Sequence, residues 1–500
     1  MRLPLNTPSD DEKTNGVHLE VGPIISHEEE TFQSISEEHK NYLISKHGTW
    51  KLQPLPSMND DDPLNWSQIH KNLQLGMISF HAFMCTFLAS GIIPLYEILA
   101  EELNQSITSI SYLTSVQILF YALAPLVLLP VMNRYGRHKT LLILTLGASA
   151  FNVGCVFSKS YSSLMIFRIF SAIFLSPGVA VGGSAVGEMM FKHELASKTG
   201  WWSLMVAMGV PAGPFITGFI QQRYASKYVF VLFAAINFGE FVAYLLLGRE
   251  TLFNYKDLTR NHTNKFKSLF QFSAIIPAYK VTFKGIIFPL TYFYSNWRIF
   301  LSTSLYSIIF CYTNIVTTVE LPTVFGEKFH LDPQAMGLQF LAIIIGYIIG
   351  IQMAGWLSDW WMKRAHYREY RLWLSYPGFI TTFVGLLVFG FQVVNAENNH
   401  WNITPLIGLA ILSFGCQLVS TTLITYCIDI IPHQATEIVL FIGFVRQVFG
   451  FIGPFYFPPM FKALGFDGAF GLLGGISFIC MLPIVLIHIL GVRSFRYSIS

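Results

Sequence analysis

Charge is scarce in this 500-residue chain: only 12% of its residues are Asp, Glu, Lys or Arg, against about 25% in a soluble globular domain. That shortage excludes an ordinary water-facing surface. The net charge of +3 is too small to mark a nucleic-acid-binding protein. Cysteine is also sparse. Cys85, Cys155, Cys311, Cys416, Cys427 and Cys480 all fall in apolar segments, with no CxxC or CxxH spacing, so neither a disulfide framework nor a metal site is expected. As buried thiols they read most simply as packing residues. No HExxH, GxSxG or Walker loop occurs, which leaves no common hydrolytic or nucleotide-driven chemistry to assign. We therefore expect no enzyme, no cofactor, no metal and no ATP coupling.

Apolar length is what the chain has. It is 53% hydrophobic with a mean hydropathy of +0.49, and a helix crossing a bilayer needs about 20 mostly apolar residues. Twelve such runs occur, at 74–96, 110–132, 140–158, 162–185, 200–222, 228–248, 299–321, 336–358, 374–394, 404–428, 437–460 and 467–491; they are called spans 1 to 12 below. The expected fold is an all-α integral membrane protein, and an even number of spans puts both termini on one side. Eleven cations fall in the loops and tail of one side (Arg134, Arg137, Lys139, Lys192, Lys198, Lys363, Arg364, Arg368, Arg371, Arg493 and Arg496) and five on the other (Lys159, Arg223, Lys227, Lys328 and Lys462). The positive-inside rule then puts both termini in the cytosol. Asn104 and Asn402 head glycosylation sequons on the outer side. The membrane is expected to be the plasma membrane, with the vacuolar membrane as an alternative.

Residues 1–73 carry twelve acidic and six basic side chains and no apolar run. They read as an acidic, largely disordered cytosolic tail with no cleavable signal peptide. The segment 249–298, polar at first and then apolar and basic, splits the spans six and six; we read it as a cytosolic linker with interfacial helices. A six-helix half at 74–248, a second at 299–491 and a short tail at 492–500 complete the expected organisation.

The two halves repeat. Span 2 ends in "PVMNRYGRHK" and span 8 in "GWLSDWWMKR", each with a polar residue (Asn133, Asp359) followed by cations. Span 5 carries Gly209-x-x-x-Gly213-Pro214 and span 11 Gly450-x-x-Gly453-Pro454. Both matches are six spans apart, the trace left by two pseudo-symmetric halves with a substrate site between them.

At these residues the chain resembles the major facilitator superfamily, and within it the fungal twelve-span drug:proton antiporter-like branch, near the fungal polyamine and cation carriers. Arg134, Gly136, Arg137 and Lys139 fit the loop of its motif A, although the usual aspartate is Asn133 and the leading glycine is Leu129. The second copy keeps Gly355, Leu357 and Asp359, with Trp360 in place of an arginine. "GWWSLMVAMGVPAGPFITG" fits the antiporter motif C at Gly200, Gly209, Gly213, Pro214 and Gly218, with Thr217 replacing one glycine. "DPLNWS", "RET" (249–251), "YREYRLWLSYPG" and "FIGPFYFPPMF" also look like the fungal branch, so the likeness spans roughly residues 60–491. The resemblance implies a secondary carrier, with a small-molecule solute and protons as partners and no nucleic acid, and we expect a monomer. It favours proton-coupled efflux; proton-coupled uptake of an amine, polyamine or other nutrient is the alternative. A sensor or channel of the same fold stands outside that class.

Ionisable side chains inside a bilayer each need a reason, at about 2.5–3.5 kcal/mol on insertion scales. Glu240, near the centre of span 6, is the deepest carboxylate. It is either a proton carrier or a carboxyl satisfied by Asn237 or a neighbouring helix. Glu320, beside Pro322 in span 7, is a second proton-coupling candidate, since the resemblance implies that the first span of each half lines the cavity; Glu97 reads as a solvated mouth residue. Arg168 stands where the family's motif B arginine takes part in proton transfer. Arg446, with Gln447, either binds an anionic group or pairs with Asp429. His81 reads as a core histidine. Gln117, Tyr121, Tyr312, Asn314 and Gln417 are candidate cavity-lining residues. The motif A cations Arg134, Arg137 and Lys139, with Asn133, Gly136, Gly355 and Asp359, form a candidate cytosolic latch. The glycines of span 5 predict a groove for close helix approach, with span 8 as the expected partner.

Overall fold

A computed structural model describes residues 35–253, 275–276, 281–362 and 368–499 of the chain. Every regular element among the described residues is helical. Eleven stretches are long and apolar enough to cross a membrane. The last of them, Ala435–Val492, runs for 58 residues, far more than a bilayer needs. Gly465 interrupts it with φ 72° and ψ 171°, between the expected spans 11 and 12. One merged stretch therefore holds two expected spans.

Local chemistry sets where the helices start and break. Ser106, Ser160, Asn296 and Asp332 each accept a backbone N–H from the first turn that follows (Ser109, Ser163, Arg298 and Ile299, and Ala335), the usual role of an N-cap. Span 4 breaks into Tyr161–Leu175 and Pro177–Met189 because Pro177 has no N–H to give. The freed carbonyls are taken by side chains: the Ser176 hydroxyl donates to Ile173 O at 2.9 Å and the Cys85 thiol to Leu175 O at 2.6 Å. Span 7 passes through a π-helical turn, Cys311–Ile315, between Trp297–Phe310 and Val316–Phe329. Such turns redirect side chains and recur at functional sites.

Helix packing repeats at an offset of six. Span 1 packs on span 5 and span 7 on span 11; span 3 packs on span 6 and span 9 on span 12. Between halves, span 2 meets span 11 and span 5 meets span 8. Large apolar residues such as Phe157, Leu246 and Ile479 stand exposed on the outside, a surface that suits lipid. The chain is a multi-pass membrane protein.

The N-terminal expectation needs correcting in part. Residues 1–34 lie outside the described residues, but 35–67 are folded: Glu37–His47 is a helix, and Leu43, Leu52 and Leu64 pack with Phe191 between spans 4 and 5. The Asp62 carboxylate, fully buried, accepts the N–H groups of Ser57 and Leu64. Within the linker, short helices occupy Phe283–Ile287 and Tyr292–Ser295; 254–274 and 277–280 lie outside the described residues.

Candidate functional site

A cavity of about 1580 Å³ lies between the two halves. Tyr121, Asn314, Gln417, Arg446 and Gln447 line it as the sequence predicted. Gln117 and Tyr312 do not. Gln117 is enclosed between spans 2 and 4, its amide donating to Arg168 O at 3.3 Å, and Tyr312 packs against the apolar core. The cavity reaches Lys192, Lys198, Arg371, Asp429 and Glu437 at the basic end of the molecule, so it opens there.

The opposite end is closed by backbone contact. A Cβ on Gly218 would sit 2.4 Å from Pro333 O, and one on Gly337 2.8 Å from Pro214 O, so the end of span 5 and the start of span 8 touch main chain to main chain. This is the span 8 contact expected for the glycine groove, but it holds only at Gly218. Gly209 and Gly213 face span 1 of their own half instead: their Cβ atoms would lie 2.3 Å from Phe83 O and 2.8 Å from Phe87 O. Gly200 has nothing within 4 Å. Thr217, standing where the motif has glycine, donates back to Gly213 O at 2.9 Å. Glu97 is exposed at this closed end, as expected, against Gly326 of span 7. Asn104 is exposed with φ 50°, and Asn402 is half-buried, its side-chain oxygen accepting the Thr404 N–H.

At the basic end, Arg137 opens span 3 and donates through Nε to both Glu188 carboxylate oxygens at 3.0 Å, at the end of span 4. Thr251 adds a hydroxyl to Glu188 at 2.9 Å. Glu250 caps span 3 from a distance of over a hundred residues, accepting the N–H groups of Arg137 at 2.8 Å and His138 at 3.1 Å. Burial pushes the Glu250 carboxyl above its ordinary range, and these N–H groups only partly hold it down. Gly136, at φ 103°, admits that carboxylate: a Cβ there would lie 2.3 Å from Glu250 Oε2. The second half repeats the pair six spans on, Arg371 before span 9 donating to Asp429 at the end of span 10 at 3.1 Å. Asp429 is therefore not the partner of Arg446. Among the other latch candidates, Asn133 and Gly355 line the cavity, Arg134 lies over the Tyr135 ring and Lys139 is half-buried in the first turn of span 3. The Asp359 side chain, Lys363 and Arg364 lie outside the described residues.

The buried carboxylates stand off the cavity. Glu240 meets His81, not Asn237: His81 Nδ1 and Glu240 Oε2 are 3.4 Å apart, both side chains buried between spans 1 and 6. Glu240 Oε1, His81 Nε2 and both Asn237 amide atoms have no protein partner. A second cavity of about 20 Å³, lined by His81, Tyr244, Gln74 and Arg137 among others, lies beside the pair; that volume holds about one water. Glu320 is buried in span 7 and makes no hydrogen bond or ion pair among the described residues. Arg168, fully buried, donates to Leu88 O at 3.0 Å and Ala89 O at 3.3 Å, the last carbonyls of the helix Gln68–Ser90. Those carbonyls lack helical partners and carry the negative end of the helix dipole, so the geometry makes Arg168 a helix cap. No carboxylate pairs with it among the described residues.

The sequence reading left Glu188 and Arg371 unassigned, gave "RET" no role, and treated His81 and Glu240 separately. The offset of six, which relates Arg137 at the head of span 3 to Arg371 before span 9, was the available signal for the paired latch.

A family model described as Major Facilitator Superfamily matches residues 78–454. Among curated relatives, the MFS transporter fsa7 of Fusarium sp. is 27% identical over 439 residues, covering 84% of each chain. The MFS-type transporter penM of Penicillium rubens is 24% identical over 450 residues, 85% of each. The probable efflux pump mfs2 of Aspergillus flavus is 24% identical over 416 residues, 78% of this chain and 95% of that one. Of solved structures, the human organic anion transporter MFSD10 (TETRAN) superposes with a TM-score of 0.58 at 12% identity, over 83% of this chain and 99% of that one.

Proposed function

Since the chain belongs to the Major Facilitator Superfamily of transporters, in its fungal form, we propose that it is a secondary carrier exporting a small organic solute in exchange for protons by alternating access. The observation that carries the reading is the large cavity lined from both halves and closed at one end by the Gly218–Pro333 contact. A path open at one face at a time is what alternating access requires. In this reading the charge asymmetry puts the open face and both termini in the cytosol, and two six-helix halves at 74–248 and 299–491 and a monomer in the plasma membrane complete the proposal. One relative, the probable efflux pump mfs2 of Aspergillus flavus, supports the outward direction.

In this reading Glu240 is the main proton site. Its carboxylate shares a buried pair with His81, and the adjoining 20 Å³ cavity reaches Arg137 of the latch. Proton loading at the pair thus changes charge next to the element that must open and close. Glu320 is a second site at the closed end, and Arg168 holds the broken end of span 1. The pairs Arg137–Glu188 and Arg371–Asp429 line the cavity mouth from the two halves and meet when that end closes.

Solute accumulation in fungal cells lacking or overproducing the protein tests this, using polyamines, other amines, azoles and cycloheximide-like compounds with and without a protonophore. Lower accumulation on overproduction, abolished by the protonophore, is expected. Higher, protonophore-sensitive accumulation of an amine makes the protein an importer. Glu240→Gln and Glu320→Gln should reach the membrane and lose gradient-driven transport; full retention in both removes the proton role.

A further inference from the structure

The charge lining the central cavity bears on what it carries. Among the described residues, five cations and three carboxylates line it. Two of the carboxylates are committed, Glu188 to Arg137 and Asp429 to Arg371. The third, Glu437, is nine residues from Arg446 on the same helix, roughly 13 Å along the axis. Glu240 and Glu320 do not reach the cavity wall.

Deep in the cavity the charge is Arg446. Its Nη1 donates to the Tyr306 hydroxyl at 3.3 Å and its guanidinium lies 5.0 Å from the centre of the Phe310 ring. Its Nη2 makes no hydrogen bond and no carboxylate pairs with it among the described residues, while Nε is enclosed in the cavity wall, also without a partner. A planar guanidinium with an uncommitted donor, braced by an aromatic face, is the geometry that takes a carboxylate. Around it stand the neutral amides of Asn314, Gln417 and Gln447 and the apolar side chains of Ile118, Ile315 and Val319.

We propose that the solute is an organic carboxylate with an apolar body, its negative group bound by Arg446 and its body lying between Phe310 and the apolar side chains of Ile118, Ile315 and Val319. This rests on the reading of the central cavity as the solute path. It runs against the amine or polyamine alternative that the sequence left open: a cationic solute would have to face Arg446 with no carboxylate among the described residues of the deep cavity to offset it.

The test is binding to the purified full-length protein in lipid nanodiscs at pH 7. The probes share one ring and differ in charge: 1-naphthoate, 1-naphthamide and 1-naphthylmethylamine, with 4-tert-butylbenzoate and decanoate as further acids. At least one acid should bind tenfold or more tighter than the amide, with the amine weakest. Arg446→Gln should erase the preference for acid over amide, and Arg446→Lys should keep part of it. The wild-type ranking needs no variant, so a misfolded Arg446→Gln leaves the proposal testable. Equal or tighter binding of the amine or amide, or no binding by any acid, overturns it, as does an acid preference that survives Arg446→Gln. Binding at equilibrium is independent of direction and proton coupling. Acid-selective binding without gradient-driven export would therefore count against the antiport reading alone.

Discussion

The same substitution at two glycines of one helix should have opposite signs. At Gly209 a new Cβ would lie 2.0 Å from the Thr86 hydroxyl and 2.3 Å from the Phe83 carbonyl, where ordinary contact begins near 3.4 Å. Thr86 is held by its bond to Val206 O at 2.9 Å, and the Phe83 carbonyl is main chain, so neither can step aside cheaply. Gly209→Ala must push spans 1 and 5 apart by about 1 Å, and overpacking of that kind costs about 1–3 kcal/mol. At Gly200 nothing lies within 4 Å of the added atom, so Gly200→Ala keeps only the gain in helix propensity, about 0.5–1 kcal/mol. The two variants should thus differ by about 1.5–4 kcal/mol, roughly a tenfold to several-hundredfold change in the folded-to-unfolded ratio. Reversible unfolding of the purified protein in mixed micelles, titrated with SDS, measures both. Shifts of the same sign, or a Gly209→Ala variant as stable as wild type, would refute the claim that span 5 spends its glycines on contact with span 1.

Arg137→Lys should lose about 1–3 kcal/mol in the same titration, because an ammonium cannot fork onto Glu188 and the pair is only partly exposed. Adding Glu188→Gln to it should cost little more, and additive losses would mean that the two do not act as a pair. Glu250 tests the buried cap. Its folded-state value is raised above 4.5, so its contribution to stability is complete below pH 4.5 and declines as the pH rises through the folded value. The Tm advantage of wild type over Glu250→Gln should therefore shrink as the pH rises above 4.5, and an advantage that grows with rising pH contradicts the raised value. All six cysteines are buried, so maleimide should label the native protein slowly and six sites after SDS unfolding; rapid native labelling would expose an error in the packing of the spans that hold them.

Much of the architecture was legible because bilayer spans are written locally. A run of apolar residues long enough to cross is visible without knowing its neighbours, and so are the caps and prolines that end it. The twelve runs, the linker and the repeat at an offset of six all come from such local signals. The exception among them, the run that continues through Gly465, bends on one residue with positive φ. The folded segment 35–67 was missed for the opposite reason: its few apolar residues, Leu43, Leu52 and Leu64, become a core only against Phe191, well over a hundred residues away.

Composition, hydropathy and charge asymmetry by themselves determined a multi-pass membrane protein, while the residues repeated at an offset of six marked two halves and the motif residues at the end of span 2 and along span 5 pointed to its family. Tertiary structure alone decided what each polar side chain meets. It gave Glu240 to His81 rather than Asn237, set Arg168 on the last carbonyls of the helix Gln68–Ser90, assigned Asp429 to Arg371, and left Arg446 facing the cavity without a carboxylate among the described residues. A side chain's partner inside a bundle lies on another helix, often more than a hundred residues away. Its identity depends on how helices are rotated and how deep they sit relative to one another, and a one-dimensional pattern does not carry that information.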